Sequence, residues 1–188
     1  MGSELFGRRV AIVVSGGIAA YKTAFVAREL VAEGANVVVA MTPNATHFVG
    51  PATFEAITQK PVLLDLFEGV SHGSVEHVGL ARSLEVVLVA PATANVLAKM
   101  ACGIADDAAT TLLLATEAPT YVAPAMNDGM WRNRATQENL EKLRGRGIKI
   151  IEPEVGFLAE GYEGVGRMAE PDKLIDAIKG ELLASEGD

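Results

Sequence analysis

Short apolar runs rich in β-branched residues alternate with segments of helical spacing along this chain. Residues 10–14 (VAIVV), 37–41 (VVVAM) and 86–90 (VVLVA) are continuous apolar stretches, which predict strands buried on both faces. Weaker runs at 121–123 and 149–151 predict a fourth and a fifth strand. Between them, apolar positions recur at helical spacing over 20–33, with Gly34 as a stop, and over 54–58, 75–83, 95–100, 107–115 and 136–144; 171–183 reads as a closing helix. Buried strands alternating with helices imply βαβ units. Right-handed crossovers then place helices on both faces of an open parallel sheet, an α/β three-layer sandwich. The stretch 152–166 holds four glycines and no clear period, so it reads as a long loop, of the kind that is more often functional than idle. The whole chain, 1–188, reads as a single domain with flexible tails at about 1–6 and 184–188.

Charge and composition narrow the chemistry. Sixteen Lys and Arg stand against twenty-four Asp and Glu, a formal charge of −8. That argues against a nucleic-acid surface or an anionic membrane as partner, and the few aromatics argue against a platform for stacked bases. It does not exclude a phosphorylated small molecule, because helix N-termini bind phosphate through uncharged N–H groups. One cysteine rules out an internal disulfide and most zinc sites, so no metal is expected. The first apolar run is too short for a signal peptide or a membrane span, which makes a cytoplasmic protein the expectation.

In an open parallel sheet, ligands bind beyond the carboxyl ends of the strands. The residues that follow the first four strands are Ser15-Gly16-Gly17-Ile18, Thr42-Pro43-Asn44-Ala45, Pro91-Ala92-Thr93-Ala94-Asn95 and Pro124-Ala125-Met126-Asn127. They are made mostly of small, hydroxyl-bearing or amide-bearing residues, and none is charged. They form neither a Walker loop nor the dinucleotide fingerprint. Four such loops at one sheet edge point to a phosphate-bearing ligand.

These loops also carry a resemblance. Ser15-Gly16-Gly17-Ile18-Ala19-Ala20-Tyr21-Lys22, Pro91-Ala92-Thr93-Ala94-Asn95 with Ala98-Lys99, Pro124-Ala125-Met126-Asn127 with Met130-Trp131, and the 161–168 run G-x-x-G-x-G-R-M together resemble the homo-oligomeric FMN-containing cysteine decarboxylases over nearly the whole chain. The resemblance implies a Rossmann-like, flavodoxin-like fold, FMN as cofactor and a phosphorylated cysteine conjugate, 4′-phosphopantothenoylcysteine, as substrate. It further implies oxidation of the cysteine CH₂–S group to a thioaldehyde, loss of CO₂ to an ene-thiolate, and re-reduction to 4′-phosphopantetheine in coenzyme A biosynthesis. A homotrimer or homododecamer is implied, with a ligase either on the same chain or separate.

Residue by residue, the resemblance assigns FMN to Ser15, Gly16, Gly17, Ile18, Thr42, Asn44, Thr93, Ala94, Asn95, Val96 and Ala125. It assigns substrate to Met126, Asn127 and Arg167, and catalysis to His77, Asn127 and Glu160. Histidine titrates near working pH, which suits an acid/base role for His77. The Asn127 amide would donate to the substrate carboxylate without a formal charge that resists CO₂ loss. Lys99 reads either as an anion partner or as a structural lysine.

One departure stands out. The resembled flap, A-C-G-x-x-G-x-G-R-M within the loop at 152–168, keeps a cysteine that protonates the ene-thiol; here Glu160 occupies its place. Cys102 lies far from it in sequence and reads as a small buried hydrophobe. Glu160 would serve as the proton donor if burial raises its pKa from ~4.3 toward neutrality. Otherwise the oxidised ene-thiol would be released, as in lantibiotic-type decarboxylases of the same family. A non-catalytic FMN-binding regulator is the third reading.

Overall fold

The computed structural model describes residues 4–65 and 76–184; in the second stretch, side chains are described from Gly79 onward. Five parallel strands form the central sheet: β1 (Arg9–Val14), β2 (Asn36–Met41), β3 (Val86–Ala92), β4 (Thr120–Pro124) and β5 (Lys149–Ile150), in the order β2-β1-β3-β4-β5. Each of the five expected strands is present. β1 and β3 are buried almost end to end, as their unbroken apolar runs require.

Alternation along the strands sorts the core into two layers. Val10, Ile12 and Val14 of β1 turn to one face with Val37, Val39 and Met41 of β2 and Leu88 of β3. Ala11, Val13, Val87 and Val89 turn to the other. The first face is covered by α1 (Ala20–Ala32), α2 (Pro51–Thr58) and α8 (Pro171–Ala184), through Val26, Leu30, Phe54, Leu174 and Ile178. The second is covered by α3 (Glu76–Ser83), α4 (Ala94–Cys102), α5 (Ala108–Ala115) and α7 (Arg134–Gly145), through Ala81, Leu97, Leu112, Leu140 and Leu143. Leu88 is wholly buried in the first of these layers, and its truncation to alanine would cost about 2–5 kcal/mol.

The structure departs from the sequence expectation in three places. A short helix, α6 (Asp128–Arg132), follows β4 directly, started by Asn127 as N-cap; five residues are too few to show a period. The stretch read as a long loop contains an antiparallel hairpin, β6 (Glu154–Phe157) with β7 (Glu163–Arg167). Its strands are short and glycine-diluted, so little two-residue alternation survives in the sequence. Leu5, placed in a flexible tail, is fully buried in the first core layer. The remaining tail residues 1–3 and 185–188 lie outside the described residues. Among the described residues no helix is long and apolar enough to cross a membrane.

Candidate active site

β1 is flanked by β2 on one side and β3 on the other, so the chain leaves β1 and β3 toward opposite faces of the sheet. That divergence opens a crevice at the strands' carboxyl ends, where ligands bind in this architecture. A cavity of about 860 Å³ occupies it, within the size range of small-molecule and cofactor sites.

The floor of the cavity is stitched together by buried groups. Ser15, just past β1, is 1% exposed. Its hydroxyl donates to the Pro91 carbonyl at 2.6 Å and accepts from the Thr93 N–H at 3.1 Å. Thr23 of α1 donates to the Ala90 carbonyl at 2.8 Å. Gly16 lies against the loop after β2: a Cβ there would stand 2.6 Å from Asn44 Cβ and 2.8 Å from its backbone carbon. Only glycine permits that approach without displacing main chain. Thr93 caps α4, its hydroxyl accepting from the Val96 N–H. The N–H groups of Ala94 and Asn95 are in the first turn, where no intrahelical acceptor exists, and both residues line the cavity.

The cations on the cavity wall are all engaged within the protein. Lys99 pairs with Asp106 at 2.6 Å and Asp107 at 3.4 Å. The hydrogen bond to Asp106 raises the lysine pKa, with the negative charge of Asp107 adding to it, and the same bond holds Asp106 below the usual carboxylate range. Lys99 therefore joins α4 to the start of α5, where Asp107 forms a capping box with Thr110. Lys22 pairs with Glu170 at 3.1 Å. Arg167 pairs with Glu154 at 3.1 Å and Glu170 at 2.9 Å. A phosphate in this cavity meets neutral donors first, namely loop hydroxyls and helix-terminal N–H groups.

The roof is the β6–β7 hairpin. Met126, after β4, donates its N–H to the Gly166 carbonyl at 3.0 Å. Gly166 has φ +142°, and a Cβ there would lie 2.1 Å from the Met126 oxygen, so β7 docks here only as glycine. The docking brings the hairpin turn over Asn127. The Asn127 Oδ1 accepts from the Gly129 N–H at 2.8 Å. Its Nδ2 donates to Glu160 Oε1 at 3.0 Å and to the Tyr162 hydroxyl at 3.0 Å. Tyr162 in turn donates to Asp128 Oδ1 at 2.7 Å, and Asp128 pairs with Arg132 at 2.5 Å. The Tyr162 hydrogen bond, followed by that of Arg132, holds Asp128 below the usual carboxylate range; the same bond raises the Tyr162 pKa.

Of the residues singled out in the sequence, Ser15, Gly16, Gly17, Ile18, Thr42, Asn44, Thr93, Ala94, Asn95, Val96, Ala125, Met126, Asn127, Glu160 and Arg167 all line this one cavity. His77 falls within α3, but its side chain lies outside the described residues. One expectation is corrected: Cys102 was read as a small buried hydrophobe; it is exposed, because it ends α4 just before Gly103. Glu160, whose role as proton donor was tied to burial, is exposed, because it sits at the tip of the hairpin. Sequence reasoning missed Tyr162, Asp128 and the Asp106–Asp107 pair. Tyr162 is a variable position inside the G-x-x-G-x-G run, and the Asp107–Thr110 capping spacing was the available signal for the pair. No cluster of His, Cys, Asp or Glu suited to a metal occurs among the described residues.

Comparison with known proteins bears on this cavity. The coenzyme A biosynthesis bifunctional protein CoaBC of Vibrio cholerae is 47% identical over 172 residues, 92% of this chain and 43% of that protein. CoaBC of Bacillus subtilis is 45% identical over 171 residues, 91% of this chain and 42% of that protein. The chain thus spans less than half the length of these curated relatives. A solved structure of a PPC decarboxylase variant complexed with pantothenoylaminoethenethiol matches with a TM-score of 0.85 and 31% identity, covering 94% of this chain and 99% of that one. The FMN-dependent cysteine decarboxylase SpaF matches with a TM-score of 0.82 and 33% identity, covering 97% and 99%. The flavoprotein family model matches residues 2–183, and the chain belongs to the flavoprotein family.

Proposed function

We propose that this chain is an FMN-dependent carboxy-lyase that converts 4′-phosphopantothenoylcysteine to 4′-phosphopantetheine in coenzyme A biosynthesis, and that residues 1–188 are one FMN-binding domain. The observation that carries this reading is the convergence of a neutral cradle and a roof residue, Asn127, on one cavity. The names of the CoaBC relatives and of the PPC decarboxylase match support it.

The residues present fit FMN. Gly16 leaves room for close backbone approach, the first turn of α4 offers N–H groups, and Met126, Met130, Leu158 and Met168 give the cavity an apolar wall. Gly16, Gly17, Ile18, Thr42, Asn44, Thr93, Ala94, Asn95, Val96 and Ala125 would hold the cofactor, with Ser15 bracing the loops beneath it. The chemistry that FMN supplies when bound is reversible two-electron exchange with the cysteine carbon of the substrate. The protein's own part is to bind, orient and move protons. Asn127 receives the substrate carboxylate through Nδ2 and adds no formal charge, so departure of CO₂ meets no salt bridge. Met126 contacts the substrate beside Asn127, and Arg167 braces the hairpin against the substrate. His77 serves as acid/base for the substrate thiol. Glu160, hydrogen-bonded to Asn127 and exposed at the hairpin tip, would pass a proton from solvent to the ene-thiolate.

The test is anaerobic incubation of the flavin-loaded protein with 4′-phosphopantothenoylcysteine, following flavin absorbance and product mass together. Phosphopantetheine with the flavin still oxidised supports the proposal. A product lacking two further hydrogens, with bleached flavin, would replace it with the oxidative, ene-thiol-releasing enzyme. No product would leave an FMN-binding regulator. His77→Asn is expected to retain yellow flavin and lose decarboxylation; full activity in that variant removes His77 from the mechanism. Glu160→Gln at the wild-type rate would likewise remove Glu160.

The same reading includes a cytoplasmic location, a CoaB-type ligase as partner on the same chain or separate, and assembly as a homotrimer or homododecamer. Ile18, just before α1, and Tyr21 and Phe25 on that helix are 65%, 52% and 56% exposed, and Val155 and Phe157 of β6 are exposed as well. A surface of this kind favours burial against another copy. A stable monomer carrying full FMN in sedimentation would overturn the assembly.

A further inference from the structure

We propose that Tyr162 is a positioning residue: its hydroxyl holds the Asn127 amide with the NH₂ edge turned to the hairpin, and so restricts Asn127 to ligand groups that accept hydrogen bonds. The inference rests on the reading that Asn127 takes the substrate carboxylate.

The chain of polarity runs from outside inward. Arg132 pairs with Asp128, which is held in its ionised, acceptor-only form. The single Tyr162 proton is spent on Asp128 Oδ1 at 2.7 Å. Toward Asn127, 3.0 Å away, the hydroxyl is therefore left only as an acceptor. An amide carries donors on one edge and an acceptor on the other, so Asn127 must turn Nδ2 to Tyr162 and Oδ1 away. The far edge agrees independently: Oδ1 meets the Gly129 N–H at 2.8 Å, at the first turn of α6. Reversing the amide would place two acceptors face to face at Tyr162 and two donors face to face at Gly129.

One Nδ2 hydrogen is thus committed to Tyr162. The other rests on the Glu160 carboxylate at 3.0 Å. A ligand carboxylate has the same acceptor chemistry as Glu160 and takes that second hydrogen, while Tyr162 keeps the amide fixed and the hairpin docked. A ligand presenting an N–H at that point meets a donor.

The experiment uses the FMN-loaded protein and two unreactive probes. N-(4′-phosphopantothenoyl)serine keeps the carboxylate and replaces the reacting thiol by a hydroxyl; N-(4′-phosphopantothenoyl)ethanolamine lacks the carboxylate. Each is titrated against wild type, Tyr162→Phe and Asn127→Ala, with binding read from the flavin spectrum. Tyr162→Phe is expected to weaken the serine probe about tenfold, one hydrogen bond's worth, and the ethanolamine probe less than about twofold. Retained binding of the second probe shows that the variant's site is intact. Equal weakening of both probes would make Tyr162 merely structural, and no weakening of either would remove it altogether; each overturns the proposal. Asn127→Ala separates the two levels. If it selectively weakens the serine probe while Tyr162→Phe does not, the proposal fails alone. If Asn127→Ala does not distinguish the probes, the reading of Asn127 fails and the proposal falls with it.

Discussion

The two walls of the cavity are built by different means. Beneath it, the loops after β1 and β3 are joined through buried groups: the Ser15 hydroxyl on Pro91 and Thr93, Thr23 on Ala90, and Gly16 pressed onto Asn44. Above it, the β6–β7 hairpin meets the body through Gly166 on Met126 and through side chains on the surface, Glu160 and Tyr162 on Asn127. The first wall belongs to the cooperative core, so it opens only when the fold does. The second has few buried contacts, which is the profile of an element that opens locally. The division suits the proposed function, in which the cofactor would stay and the substrate would exchange. Damage to the floor should cost cofactor and stability together, whereas damage to the roof should cost turnover alone.

Gly16→Ala tests the floor most severely. Its methyl group would stand 2.6–2.9 Å from Asn44 Cβ, carbon and oxygen, two of them main-chain atoms that cannot rotate away. The variant should purify without flavin absorbance and lose about 1–3 kcal/mol of stability, the usual cost of overpacking. Gly17→Ala is the matched control. Its Cβ would meet Thr93 Cγ2 at 3.4 Å, an ordinary contact, so the denaturant midpoint should stay near wild type. Equal loss in both variants would show that the loop needs flexibility rather than space.

Gly166→Ala applies the same kind of insult to the roof. Its Cβ would fall 2.1 Å from the Met126 oxygen, so β7 must lift from the loop after β4. Turnover should fall at least about tenfold, the loss that follows from misplaced positioning groups. Bound flavin and the urea midpoint should change little. If the midpoint falls as far as in Gly16→Ala, hairpin and floor form one cooperative unit.

How much of this was legible in the sequence follows the same line. The sheet, its order of burial and the small-residue loops could be read because each depends on local pattern: apolar runs for β1, β2 and β3, and glycine or hydroxyl residues where each strand ends. Fifteen of the sixteen site residues named from the sequence line the cavity, and His77 lies beyond the described side chains. What could not be read depends on contacts distant in sequence. Tyr162 and Asp128 are 34 positions apart, and nothing local marks either as a partner of the other. The hairpin escaped notice because two of the positions that would show alternation in β7 are glycines kept for docking. Whether Glu160 is buried or exposed could not be read at all, because only the tertiary structure grants or withholds burial.

Ser15→Ala is a milder test of the floor. It removes no volume of consequence, but it strands the Pro91 carbonyl and the Thr93 N–H, both of which Ser15 satisfies from a buried position. Unmet buried groups cost about 1–3 kcal/mol, to be read as a shift in the urea midpoint with an unchanged slope. Flavin should remain bound, though more weakly, because the backbone that forms the cradle is still present. A variant as stable as wild type would mean that the two loops hold their positions without the serine.

The smallest effect tests whether the roof moves by itself. Glu154, at the root of the hairpin, bonds to Lys173 at 2.7 Å and to Arg167 at 3.1 Å, tying β6 to β7 and to α8. Lys173 first, and Arg167 second, hold its carboxyl below the usual value of 4.5. A depressed carboxyl binds fewer protons in the closed form than in the open one. Its contribution is therefore complete above about pH 4.5 and fades as the pH falls through the closed-form value. Lys173 is 66% exposed, so the whole contribution is under about 1 kcal/mol. Protection of the β6–β7 amides against hydrogen exchange should decline in this acid range in wild type and much less in Glu154→Gln, while protection in β1 and β3 should be the same in both. If the central strands follow the hairpin in its dependence on Glu154, the roof is coupled to the core, and the proposed division between a fixed floor and a separately opening roof is wrong.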